Sequence, residues 1–197
     1  QLGMLQFSLG QYAQADSLIA GSLAIYQALP DDSCEKIADA LNNLGEIRRV
    51  EDDYAGAEQN FRRGIALACG RLAQGAPLRA ALINNLAGLF RDLARYADAE
   101  PLLEESLRLR EKSSDAGAEG LATAHLNLAE IYRLQGRNDE AAPLYAKALA
   151  MARPALGDDN PDLTPFVNQA GVSFEELGRY AEAEPLFREA LAKAQRA

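Results

Sequence analysis

A tyrosine returns every 42 residues with its neighbours intact, and no other feature limits the possible folds of this chain so tightly. Tyr12, Tyr54, Tyr96 and Tyr180 lie on one lattice, Asn138 fills the remaining node, and an alanine follows three residues later each time, at Ala15, Ala57, Ala99, Ala141 and Ala183. A fixed period of roughly 20 to 50 residues marks a stack of equal supersecondary units, none of which can bury its apolar face alone. Such a stack offers a long surface to another chain and no obvious place for chemistry.

The rest of the period describes the unit. Before each tyrosine node stands a turn element, Gly10-Gln11, Asp52-Asp53, Ala94-Arg95, Gly136-Arg137 and Gly178-Arg179, where glycine can end a helix in the left-handed conformation. Upstream of the turn, Ala40-Leu41-Asn42-Asn43-Leu44-Gly45, Leu82-Ile83-Asn84-Asn85-Leu86-Ala87 and His125-Leu126-Asn127-Leu128-Ala129 place apolar residues at helical spacing. Downstream, Ala57 to Phe61, Ala99 to Leu103, Ala141 to Tyr145 and Ala183 to Phe187 form a second helix. Pro101, Pro143 and Pro185 sit near its start, where a missing amide has little helical partner to lose. Each unit is therefore two helices joined by a tight turn.

These residues resemble tetratricopeptide repeats of the longer, 42-residue kind, and are similar to kinesin light chain repeats and their bacterial relatives. The match is carried by Asn84-Asn85-Leu86-Ala87, by Arg95-Tyr96-Ala97-Asp98-Ala99-Glu100-Pro101-Leu102, by Gly178 to Leu186, and by the linker Leu156-Gly157-Asp158-Asp159-Asn160-Pro161-Asp162. The resemblance implies an all-α fold, an alpha-alpha superhelix or solenoid of stacked antiparallel hairpins, right-handed, in one domain over 1–197. Its repeats would run 1–34 (partial), 35–76, 77–118, 119–160 and 161–197. Gln1 lies one period before Asn43, in mid-helix, so an excerpt of a longer protein is expected. The tyrosines should occupy equivalent packing sites.

Departures from the pattern have consequences of their own. The linkers 29–36, 69–78 and 111–120 do not resemble the acidic one after Met151. In the second repeat Arg48 takes the node of Phe90, Tyr132 and Phe174, and Gly64 takes the node of Ser106, Ala148 and Ala190. A glycine inside a helix costs about 1 kcal/mol relative to alanine, so this repeat is expected to be the least well packed. These differences also argue against motor cargo adaptation.

A formal charge of −9 disfavours nucleic acid, whose phosphates are bound by clustered Lys and Arg. No apolar run approaches the roughly 20 residues of a membrane span, and a cytoplasmic setting is favoured. The single histidine, His125, shares its node with Leu41, Ile83 and Val167 and reads as a packed residue; without clustered cysteines it supports no zinc site. Cys34 and Cys69 stand at different phases of the repeat and read as thiols. Asp158-Asp159 precede a helix opened by Asn160 and Pro161. No phosphate loop, nucleophile elbow or metalloprotease motif is present, so neither an enzyme nor a cofactor is expected.

The first helices carry the candidate site. Asn43, Asn85 and Asn127 recur at the period, as do Arg49, Arg91 and Arg133, with Asn42, Asn84 and Leu126 seven residues before each arginine at nearly the same helix angle. The stripes Asp39-Asn42-Glu46-Arg49 and Ala81-Asn84-Gly88-Arg91 are polar or small. By resemblance this stripe lines the concave groove, and the second asparagine of each pair hydrogen-bonds a bound peptide backbone. An asparagine both donates and accepts, and an arginine fork suits carboxylates. The alternatives are asparagines that bridge adjacent first helices or cap backbone, and arginines spent on Glu46 or Glu130 three places earlier. Leu126 would supply an apolar anchor.

Three classes of function follow. The leading one is a scaffold or adaptor that binds a partner's peptide segment, one with acidic residues or a free carboxylate. The second is self-association through the truncated first repeat, where Leu2, Leu5, Phe7 and Leu9 leave apolar surface open, while Lys193, Gln195 and Arg196 make the opposite end polar. The third is a regulatory sensor joined to an effector domain elsewhere in a larger signalling protein.

Overall fold

The computed structural model describes residues 2–28, 34–70, 76–113 and 117–195. Gln1, Asp31, Asp32, Arg196, the side chain of Cys69 and residues 29–33, 71–75 and 114–116 of the three dissimilar linkers lie outside the described residues. Among the described residues ten α-helices follow in order: α1 Leu2–Ser8, α2 Tyr12–Ala28, α3 Cys34–Val50, α4 Tyr54–Gly70, α5 Ala76–Asp92, α6 Tyr96–Lys112, α7 Ala118–Leu134, α8 Asn138–Leu156, α9 Thr164–Glu176 and α10 Tyr180–Ala194. No strand occurs among the described residues. The chain divides into two compact units, 1–109 and 110–197.

Within each repeat one clip closes the hairpin. The residue at the turn adopts a left-handed conformation, with φ of 73° at Gly10, 61° at Asp52, 56° at Ala94, 77° at Gly136 and 70° at Gly178. The amide after it then reaches back five residues: Gln11 to the Gln6 carbonyl at 2.9 Å, Asp53 to Arg48 at 2.8 Å, Arg95 to Phe90 at 2.7 Å, Arg137 to Tyr132 and Arg179 to Phe174 at 2.8 Å each. This satisfies carbonyls that a helix end leaves without partners. It also turns the chain within two residues, so the tyrosine node always begins the next helix.

In the first unit α1 to α4 pack in sequence, α4 also meets α5, and α3 meets α5, so consecutive first helices lie side by side. Ala15, Ile19 and Leu23 of α2 share a buried cluster with Ala40, Leu41, Leu44 and Ile47 of α3. Small residues at the node of Gly45 admit large ones from the second helix. A side chain on Gly45 would run into the ring of the fully buried Phe61. Ser106 fastens α6 to α5 by donating to the Ala80 carbonyl at 2.8 Å.

Gly64 is buried and leaves no slack: a Cβ there would stand 2.7 Å from Cδ2 of the fully buried Leu82. The glycine is the room that lets α4 approach α5. The expected packing defect is therefore absent at this node, because close tertiary contact offsets the weak helix propensity.

The second unit holds the end of α6 and α7 to α10. Tyr145, Ala148, Leu149 and Ala152 of α8 are buried with Leu163, Phe166, Val167 and Ala170. Asn160 caps the short 3-10 turn Pro161–Leu163, accepting from the Asp162 amide at 2.9 Å. Arg153 ties this corner together through Asp158 at 2.8 Å and Glu189 at 3.0 Å. Tyr12, Tyr54 and Tyr96 are half-buried. Tyr180 departs from them at 67% exposed, its ring on the open outer face of α10.

Candidate functional site

All nine candidate residues, Asn42, Asn43, Arg49, Asn84, Asn85, Arg91, Leu126, Asn127 and Arg133, are half-buried. In the first unit α3 and α5 bring several together. The Asn85 amide donates to Asn42 Oδ1 at 2.9 Å across the two helices. Among the described residues this leaves the Asn85 carbonyl oxygen and the Asn42 amide nitrogen without protein partners. A bridged pair that still presents one acceptor and one donor has the polarity of a peptide group.

Further along the same two helices, Arg49 lies across Gly88, where a Cβ would stand 2.9 Å from its Nη1. The guanidinium lies 3.3 Å from Glu46 and 3.6 Å from Asp92, and Arg91 holds Asp92 at 3.0 Å. Two arginines are thus matched by two carboxylates, so this strip carries no net positive charge. Burial pushes the Glu46 carboxyl above its ordinary range, against the pull of Arg49 and with the push of Asp92. One Glu46 oxygen, Oε1, is buried without a hydrogen-bond partner.

The second unit treats its arginine differently. Arg133 grips Glu130 with Nε at 3.0 Å and Nη2 at 2.8 Å, and reaches Glu176 of α9 at 3.1 Å. The buried Tyr145 of α8 donates its hydroxyl to Glu130. The hydrogen bond to Glu130 drives the Arg133 pKa further up, and burial followed by the same carboxylate raises that of Tyr145. This network joins three helices and engages all three guanidinium nitrogens. Leu126 packs against the buried cluster of this unit, and Asn127 is half-buried beside it.

Sequence reasoning singled out Glu46 and Gly88 in these stripes and Glu130 as the alternative partner of Arg133, but missed Asp92, Glu176 and Tyr145. Asp92 and Glu176 share a node with Val50 and Leu134, so no periodic signal marks them. A second recurring element was also missed. Arg95, Arg137 and Arg179 stack over Phe90, Tyr132 and Phe174 at 4.2, 4.0 and 4.7 Å, each also pairing with the carboxylate three residues on, Asp98, Glu140 or Glu182. The signal was available in the lattice, as an arginine five residues after an aromatic.

Helical hairpins clipped at 42-residue intervals, with polar side chains reaching between successive first helices, define a helical-repeat protein. The chain belongs to the tetratricopeptide repeat family, whose model matches residues 1–69, 78–153 and 120–196. Its fold class is accordingly all-α, built of antiparallel helix hairpins. Among solved structures it is similar to BtubC (BKLC) from P. vanneervenii, with a TM-score of 0.85 at 19% identity over 99% of this chain and 78% of that one. It is similar also to the kinesin light chain-type, nearly identical TPR-like repeats of Podosopora anserina, with a TM-score of 0.77 at 19% identity over 100% of this chain and 94% of that one. A third similar structure is a Rap protein complexed with Competence and Sporulation Factor, with a TM-score of 0.79 at 15% identity over 98% of this chain and 52% of that one. No curated protein matches the chain in sequence. No described helix is long and apolar enough to cross a membrane.

Proposed function

We propose that the chain is a non-enzymatic protein-interaction scaffold, and that its α3–α5 strip holds an extended peptide segment of a partner. The observation that carries this is the Asn85–Asn42 bridge, which fixes two amides across adjacent first helices while leaving one donor and one acceptor to pair with a peptide backbone. The similar Rap protein is complexed with Competence and Sporulation Factor, and a Rap conjugation regulator of similar fold with the Phr* peptide, which supports a peptide as the ligand class.

Arg49 sets the preference for an acidic or free carboxylate. Its contacts at 3.3 and 3.6 Å are longer than the roughly 2.7 to 2.9 Å of a charge-assisted hydrogen bond, so an incoming carboxylate can make a shorter one. Asn43, Asn84 and Arg91 border the same strip. Leu126 and Asn127 form a second patch, with an apolar anchor beside an amide, and the immobilised Arg133 bounds it.

The test starts from peptides selected on the chain from a random display library, with affinities measured by calorimetry. Asn85→Ala is expected to weaken binding by about 0.5 to 1.5 kcal/mol for a lost hydrogen bond, and Arg49→Gln to flatten the salt dependence. Unchanged affinity after replacing Asn42, Arg49 and Asn85 together, with helix content preserved, sinks the reading.

A further inference from the structure

Two repeats build the same cluster of four side chains, one complete and one a hydroxyl short. In the second unit Arg133 meets both oxygens of Glu130 at 2.8 and 3.0 Å and reaches Glu176 at 3.1 Å, while the Tyr145 hydroxyl donates to Glu130 Oε2. Two periods earlier, in the first unit, the same nodes are Glu46, Arg49, Phe61 and Asp92. Phe61 is fully buried, its ring against Gly45 beside the glutamate, but it has no hydroxyl to give. Glu46 Oε1 is accordingly buried without a hydrogen-bond partner, and Arg49 stands off at 3.3 Å from Oε2 and 3.6 Å from Asp92.

A buried carboxylate oxygen without a donor disfavours the charged form. Burial pushes the Glu46 carboxyl above its ordinary range, Arg49 draws it back and Asp92 pushes it up again. The other charged and titratable groups around it are occupied or distant. On α5, Arg91 pairs with Asp92 at 3.0 Å. At the start of α4, the Tyr54 hydroxyl donates to Asp52 at 2.6 Å. On α2, Asp16 faces Arg48, and α1 has no ionisable side chain. Asp39 is exposed on α3, two turns or about 10 Å along the helix. Arg49 is therefore the cation that favours the ionised form of Glu46.

We propose that Glu46 is the resident competitor for Arg49: the carboxylate of the bound peptide takes its place on the guanidinium, and Glu46 takes up a proton from solvent as it is displaced. This rests on the α3–α5 strip being a peptide site. An incoming carboxylate removes the attraction of the cation from Glu46 and sets a further anion beside it, and both changes favour the protonated form. Binding is thus stronger where the proton is available. Affinity increases from neutral to mildly acidic pH, and turns down only where the peptide's own carboxyl protonates, at about pH 4. The cluster of the second unit does not exchange in this way, because Tyr145 holds Glu130 and Glu130 holds Arg133.

Calorimetry of a display-selected acidic peptide at neutral pH, run in Mops and again in Tris, reads the proton directly, since the two buffers differ in ionisation enthalpy. Wild type should take up a fraction of a proton. On acidification its affinity should rise about three- to tenfold, tenfold corresponding to one pK unit of upward shift on binding. Glu46→Gln should bind more tightly at neutral pH and lose both the uptake and the pH dependence. Phe61→Tyr supplies the missing hydroxyl and should suppress uptake and affinity together. Circular dichroism confirms the folding of the variants, and the wild-type measurement stands without them. Binding with no proton uptake overturns the proposal while leaving the peptide site intact, as does uptake that persists in Glu46→Gln. Failure of every selected peptide to bind overturns both.

Discussion

The Nε atom of Arg48 lies 3.9 Å from the Asp53 carboxylate, an ion pair that stands where three other repeats stack an arginine on an aromatic ring. The two residues hold the nodes of Phe90 and Arg95, Tyr132 and Arg137, Phe174 and Arg179. The substitution is coupled: a cation has replaced the ring, and an anion has replaced the cation. Asp53 also caps α4, its Oδ1 accepting from the Gly56 amide at 3.0 Å. Asp53→Arg should therefore lower stability by about 1 kcal/mol for the lost cap, with like charges adding to the loss. Adding Arg48→Phe should recover roughly 0.5 to 1 kcal/mol by restoring a stacked pair. Urea denaturation of the two variants and wild type reads the difference.

Ala94 holds a φ of 56° where Gly10, Gly136 and Gly178 stand in other repeats. An alanine there bears the left-handed penalty of about 1 to 2 kcal/mol that a glycine escapes. Ala94→Gly should raise the urea midpoint, and Gly136→Ala should lower it by a similar amount. Equal responses of the two variants in the same direction would show that the clip is not limited by backbone strain.

Much of the fold was legible because it repeats. The clip could be placed at Asp52 and Ala94 without a glycine, since Tyr54 and Tyr96 kept the phase. The node of His125, shared with three aliphatic residues, showed it to be packed, and it is 3% exposed. What escaped notice depends on tertiary distance. Gly64 reads as a defect on any local scale, and only the approach of Leu82 explains it. Asp92 and Glu176 each meet an arginine 43 residues earlier, one residue out of phase with the period that revealed the arginines.

Gly64→Ala separates the local effect from the tertiary one. Propensity favours the alanine by about 1 kcal/mol, but its Cβ would meet Leu82 at 2.7 Å in a site with no exposed surface to yield, and overpacking costs about 1 to 3 kcal/mol. The variant should be less stable than wild type. In a Leu82→Ala background the same change should become neutral or favourable, which a double-mutant cycle in urea measures directly.

His125 should make stability depend on pH in one direction. Its Nδ1 is buried without a hydrogen-bond partner. Burial lowers its pKa first, the nearby Lys147 lowers it further, and Glu111 opposes both. A depressed folded value means that the unfolded chain binds the proton more readily, so the histidine's contribution is complete above the unfolded pKa of about 6.5. It is lost as the pH falls through 6.5 towards the folded value. His125→Leu, the residue found at the Leu41 node, should remove this part of the acid sensitivity, leaving a shallower loss of thermal midpoint between neutral and mildly acidic pH than wild type shows.

Gly88 separates stability from binding at the α3–α5 strip. A Cβ at this position meets only the tip of Arg49, 2.9 Å away, and a flexible guanidinium can swing aside. Gly88→Ala should therefore gain up to about 1 kcal/mol of helix propensity while breaking the reach of Arg49 to Asp92. Calorimetry with a selected acidic peptide should then show a several-fold loss of affinity in a protein that melts no earlier than wild type. Combined with Arg49→Gln, the two losses should not add, because both act on the same guanidinium. Additive losses would mean that Gly88 contributes to the strip independently of the Arg49 guanidinium, through its backbone.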